Sequence, residues 1–190
     1  MSIFVGIDTD SRGSLAMVDF TKGLFAVYLL PNTTMLVNGK NRNVLDVQEL
    51  GRLMRALAPH TPNIKGVTLE QQAGMPDQDS ASTFFFGKTV GQIESALHTA
   101  CPDIVKPRWV RGVDWKGSMK LTSDKAQARA LAAKIFPNAA TIWRRGFTTE
   151  RTSSAEALLI ALWGAVGQVK LAPTYQPWHG EPLVGFDQLT

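Results

Sequence analysis

The stretch IFVGIDTDSRGSLAMVDF, residues 3–20, decides how the chain is read. Ile3, Val5 and Ile7 alternate with Phe4 and Gly6, the pattern of a strand buried on both faces. The run then reaches Asp8, passes a polar turn ending at Gly13, and returns as a second apolar run. A buried carboxylate without a partner is costly. Two partners are open to Asp8: Asx-type hydrogen bonds within the turn that follows it, or a cation such as a metal ion.

The chain has 190 residues, enough for one domain with a genuine core. A hydrophobic fraction of 44% and a charged fraction of 19% belong to a folded globular protein. The single cysteine, Cys101, excludes an internal disulfide framework and a multi-cysteine zinc site. His60, His98 and His179 are scattered and form no zinc constellation. No stretch reaches the length of a membrane span, and no basic-then-apolar signal opens the sequence, so no membrane partner is expected. The expected location is the cytoplasm or nucleoid of a bacterial or phage-infected cell, or an organelle if a targeting segment has been removed.

The net charge is +4, which favours an anionic partner. Its distribution says more. Between residues 106 and 151, eleven Lys and Arg face only Asp114, Asp124 and Glu150. A solvated face usually interleaves both signs, so this segment reads as a phosphate-contacting surface, with Lys116, Lys120, Lys125, Arg144 and Arg145 as candidate DNA contacts.

Residues 3–8, 14–20 and 24–30 read as an antiparallel meander. Residues 31–43 read as polar and turn-rich, and 45–58 as a helix ended by Pro59 and Pro62. A strand at 66–69 ends in Glu70, and a loop leads into a helix bearing Val90, Ile93, Leu97 and Ala100 on one face. Residues 103–110 read as another short strand, and 114–122 as a loop. Ser123 is the expected N-cap of the next helix, and Ser153 or Ser154 that of the last. Residues 1–170 form the domain and 171–190 a tail without periodicity. Three meander strands followed by alternating helices and strands predict an α/β protein with a ribonuclease H-like fold, a mixed central sheet flanked by helices.

Glu70 repeats the oddity of Asp8, because it ends a buried strand at the carboxyl edge of the sheet. Glu156 adds a third acid, on the stripe of a helix that also carries Leu159, Ile160 and Trp163. Complementing the helix N-terminus is the simple alternative for Glu156. Three carboxylates at element ends facing one edge are better explained by Mg²⁺, with Mn²⁺ as a substitute. Two such ions flanking a phosphodiester activate water and stabilise the leaving oxygen, and Lys120 and Lys125 would neutralise the phosphate.

At this point the chain resembles a known family. GIDTDSRGSLAMVD, VTLEQQ, FFFGKTVGQIESAL, WKGSMKLTSDKAQARALAAKIFP and AEALLIALWG resemble, in order from Phe4 to Gly164, the RuvC-like Holliday junction resolvases. The likeness leans to the phage and bacterial branch and its plant chloroplast relative. It implies a homodimeric, Mg²⁺-dependent endonuclease with two ions per site that resolves four-way DNA junctions by paired symmetric nicks. Asp8, Glu70 and Glu156 stand at the family's metal positions. The family's further acid just before the last of these is replaced by Thr152 and Ser153. Glu150 is then the candidate fourth ligand, and a weakened or inactive junction-binding protein is the alternative.

Three consecutive aromatics, Phe84 to Phe86, cannot all face a core, so at least one is expected to be exposed. Phe85 and Phe86, with Lys88 one turn on, are candidate DNA contacts, and packing in the core or between subunits is the competing role. Trp115 is expected to pack and Lys116 to meet phosphate. Asp10 is expected to cap its turn. Any sequence preference would be read by the loop after Glu70. The hairpin at 6–19 also resembles the phosphate-binding hairpin of sugar kinases and actin-like ATPases, but those need a second domain of similar size.

Overall fold

The computed structural model describes residues 1–37, 39–71, 79–139, 150–166, 168 and 176–177. Strands β1 (Ile3–Asp8), β2 (Ser14–Asp19) and β3 (Leu24–Leu29) form the antiparallel meander. A separate hairpin follows, β4 (Asn32–Val37) and β5 (Lys40–Leu45), and then helix α1 (Val47–Leu57). Strand β6 (Ile64–Gln71) returns parallel to β1, and helix α2 (Ser80–Ala100) crosses over to β7 (Arg108–Arg111), parallel to β6. Helices α3 (Gly112–Ser118), α4 (Lys125–Ile135) and α5 (Glu150–Ala165) complete the layers. The two residues of β8 (Gln176–Pro177) extend the sheet beyond β3, giving the order β7-β6-β1-β2-β3-β8.

Alternation along β1 divides the core. Ile3, Val5 and Ile7 join Leu50, Leu53, Ile93 and Leu97 on the side of α1 and α2. Phe4 faces the other side with Phe20, Phe25, Phe136 and the Ala157, Leu158 and Ala161 stripe of α5. Gly6 shares that side. A Cβ there would stand 2.2 Å from the Ala157 carbonyl oxygen and 2.4 Å from the Ala161 nitrogen. The absent side chain therefore lets the α5 backbone rest directly on β1.

Several expectations change. Residues 31–43 hold most of a hairpin instead of turns; it is largely exposed, so no apolar alternation announces its strands. The Asn38-Gly39 dipeptide is the signal that marks it. Leu45 ends β5 instead of opening the helix, which Asp46 caps through the Gln48 and Glu49 amides. Part of the 114–122 loop is α3, held by full burial of Trp115 and by Arg111 bridging Asp114 at 2.7 Å. Asp124, not Ser123, caps α4, accepting from the Ala126 amide. Ser153 and Ser154 lie inside α5, which starts at Glu150, so neither is its cap.

Candidate active site

Alternation places the acids as it places the core. Asp8 falls on the same side of β1 as Phe4 and Gly6, facing α5. Ile7 pairs with Leu69, so the next residues, Asp8 and Glu70, end neighbouring parallel strands side by side. Glu70 lies within β6, one residue before its end. Val67 and Leu69 face the α1 and α2 side, which turns Thr68 and Glu70 toward α5. Glu156 precedes Ala157, whose backbone rests on Gly6, so the close helix–strand approach carries the third acid to the same edge.

The three acids open into one pocket of about 230 Å³, with Asp10, Arg12, Lys116, Lys125 and Ser153. Asp8, Glu70 and Glu156 are 4%, 8% and 7% exposed. Burial raises the Asp8 carboxyl well above its usual range, and the neighbouring charges of Glu70 and Glu156 add to it. Burial raises Glu70 too, opposed by a hydrogen bond that the Trp115 indole donates to its Oε1 at 3.1 Å. Next along the helix, the Lys116 ammonium sits 2.8 Å from Glu156 Oε1. Burial works against the charge on Lys116, yet its bond to Glu156 and the fields of Glu156, Glu70 and Asp8 outweigh this and raise its pKa.

Helix α3 thus presents consecutive side chains to two different acids. Gly112 permits the approach, since a Cβ there would stand 2.7 Å from Glu70 Oε1. Trp115 packs, as its bulk predicted, but it also orients a site acid, and its indole nitrogen is what distinguishes it from a plain core aromatic. Lys116, expected to face phosphate, is paired inside the acid cluster.

The position of the missing acid is occupied by hydroxyls. Ser153 Oγ lies 2.8 Å and Ser154 Oγ 3.2 Å from Ser14 Oγ, all three buried. Thr152 Oγ1 accepts from Arg129 at 2.8 Å. Buried hydroxyls thus satisfy one another where an ionised group would need a counter-charge. The Glu150 side chain, Arg144, Arg145 and residues 72–78 of the loop after Glu70 lie outside the described residues.

Among the other candidates, Lys125 lines the pocket, while Lys120 is exposed, at a positive φ of 56°, and is not among the lining residues. Asp10 caps its turn through the Arg12 amide and the Ser11 hydroxyl, while also facing the pocket. Phe84 is 66% exposed and Phe85 and Phe86 are half-buried. Phe85 lies between Arg42 and Lys88, at 5.7 and 5.8 Å from its ring centre. Arg12 was missed in the sequence because nothing in the turn distinguishes it from a solvated arginine.

Oxygen donors alone face the pocket from the acids, a set that fits a hard divalent cation. Among the described residues, however, no three Asp, Glu, His or Cys side chains stand together as a ready-made ligand set.

A mixed sheet flanked by helices, with the acids at the carboxyl edge of β1 and β6, defines a ribonuclease H-like fold. Among the solved structures it matches are two of RuvC. Thermus thermophilus RuvC in complex with a Holliday junction substrate matches with a TM-score of 0.55 at 12% identity, covering 90% of this chain and 100% of that one. A second Thermus thermophilus RuvC structure matches with a TM-score of 0.52 at 18% identity, over 86% and 93%. No protein-family model and no curated protein matches the sequence. Among the described residues no helix is long and apolar enough to cross a membrane.

Proposed function

We propose that the protein is a divalent-metal-dependent endonuclease that binds four-way DNA junctions and resolves them by paired nicks, in the manner of the phage and bacterial resolvases. The observation that carries this reading is the convergence of Asp8, Glu70 and Glu156 on one pocket at the carboxyl edge of a RuvC-like sheet. Asp8, Glu70 and Glu156 would hold Mg²⁺ or Mn²⁺. When bound, such ions supply Lewis-acid activation of water and neutralise charge at the leaving oxygen. Trp115 orients Glu70, and Lys125 and Arg12 bring positive charge to the rim where a phosphate would sit. The burial of the three acids against α5 limits the screening of these charges by bulk water.

A two-fold dimer matches the two-fold symmetry of a junction. Helix α2 supports one: over its length only Thr89, Ile93 and Leu97 are buried, while Phe84 stands exposed. The weakened-nuclease alternative draws on the hydroxyls at Thr152 and Ser153. One experiment separates the two: incubation of a mobile four-way junction with Mg²⁺ and either the wild-type protein or Asp8→Asn. Paired nicks from the wild-type chain alone support the nuclease. Tight binding with equal, background cleavage by both leaves only the binding protein.

A further inference from the structure

Lys116 contradicts the simple picture of a basic residue waiting for DNA. Its half-buried side chain is paired with Glu156 at 2.8 Å, in the pocket that Asp8 and Glu70 also line. Its stem runs beside Trp115, with the ammonium 5.1 Å from the indole centre. The other cations of the pocket, Arg12 and Lys125, have no ion pair with the three acids among the described residues. Three buried carboxylates cannot all carry charge side by side without a counter-charge. The acids are also not drawn into a metal-ready set.

We infer that Lys116 is the resident counter-ion of the acid pocket, occupying through Glu156 the place that a divalent ion must take, so that metal entry expels the ammonium toward the substrate side. This rests on the proposed metal-dependent function and adds an ordered exchange to it. Without metal, the ammonium holds Glu156 and offsets the charge of Asp8 and Glu70. With metal, a monovalent cation a few Å from a divalent one is repelled, and its long flexible stem lets it move without disturbing α3. The freed ammonium then joins Lys125 and Arg12 on the rim, where it meets phosphate. Lys116 is thus a positioning residue in one state and a phosphate contact in the other.

The exchange predicts an effect opposite to that of losing a ligand. Lys116→Met removes the competitor, so Mn²⁺ measured by titration calorimetry on the full chain without DNA should bind about ten-fold tighter than to wild type. Lys116→Arg, which keeps the charge, should stay near wild type. Without metal, Lys116→Met should melt lower than wild type, and Mn²⁺ should recover more of its stability. A wild-type measurement stands apart from any folding defect. The Lys116 ammonium resonance, assigned by its loss in Lys116→Arg, should be protected from exchange without metal and vanish on titration with Mg²⁺. Equal or weaker Mn²⁺ binding by Lys116→Met, or an ammonium signal unchanged at saturating Mg²⁺, overturns the exchange and leaves the metal site standing. No ion binding by either protein overturns the metal site and the exchange together.

Discussion

Two buried aspartates sit at opposite ends of one antiparallel strand pair, and their fates differ. Asp8 closes β1 opposite Ser14, and Asp19 closes β2 opposite Ile3. Both are nearly inaccessible, at 4% and 0% exposed. Asp19 is bonded within its own turn through one oxygen: its Oδ1 accepts from the Thr21 amide and hydroxyl and from the Lys22 amide, while its buried Oδ2 has no hydrogen-bond partner among the described residues. Asp8 accepts a long 3.3 Å bond from the Asp10 amide and otherwise meets acids, Glu70, to which it is hydrogen-bonded, and Glu156. A carboxylate whose bonds close within its own turn is architecture. One that is buried among other acids stores an electrostatic cost that a proton or a cation relieves, and such a cost is kept where a site needs it.

The largest expected effect tests whether that division is one of function. Asp8→Asn should lower junction nicking by about 10³-fold or more, the scale of losing a group that acts with the metal on the reacting phosphate. Asp19→Ala should leave the rate per folded molecule within about two-fold. Nicking assayed on both variants, corrected for folded fraction, breaks the comparison if Asp19→Ala is the equally inactive one.

Binding should show the same polarity. Lys125 and Arg12 flank Asp8, whereas Lys22 accompanies Asp19 in the opposite turn. Each phosphate contact contributes about 0.9 to the slope of log affinity against log salt. Lys125→Ala should therefore flatten the slope for junction binding by about one, and Lys22→Ala should not change it. Equal slopes for the two variants would place the DNA elsewhere than the acid end.

Stability without metal should move in opposite directions at the two ends. The Asp8 and Glu70 carboxyls are raised by burial. The stability they contribute is thus fully present below their unfolded values, near pH 4, and lost as pH rises through their higher folded values. At neutral pH, Asp8→Asn should then melt roughly 2–4 °C above wild type, the response to about 1 kcal/mol in a domain of this size. The gap should close as pH falls toward about 4. Asp19→Ala should instead lose about 0.5–1.5 kcal/mol, because it removes the acceptor that ties the Thr21–Lys22 turn. Thermal melts across pH in a chelating buffer distinguish the two.

This comparison also marks what a sequence can say. GID before TDSRG and MVD before FTKG look alike as strand, acid and turn. The meander, the parallel return of β6 and the position of Glu70 at its edge follow from apolar runs and their order, which is short-range information. What separates Asp8 from Asp19 is tertiary: Gly6 letting α5 descend, and Glu156 arriving from far along the chain. Helix α3 escaped for the same reason, because burial of Trp115 between sheet and α5, not local propensity, makes it helical. The inward turn of Lys116 was illegible too, since a lysine in a basic run carries no mark of the acid it will meet.

The smallest effect sharpens the comparison most, because it asks how far local satisfaction of an acid tunes its chemistry. Trp115 gives Glu70 one neutral hydrogen bond at 3.1 Å, a partial version of what Thr21 and Lys22 give Asp19. Trp115→Phe keeps most of the buried aromatic volume and removes only that donor. The loss to stability should be about 0.5–1.5 kcal/mol, the net worth of one such bond. The bond lowers the Glu70 pKa against its burial, so its removal raises that pKa further. Glu70 then holds its proton to higher pH. Nicking by Trp115→Phe should therefore fall a few-fold near neutrality, with the acid limb of its pH–rate profile displaced upward. A side chain that only fills space would cost stability and leave the profile in place. An unshifted limb would assign Trp115 to the core, and Glu70 would then owe its environment to burial and to Asp8, Glu156 and Lys116 alone.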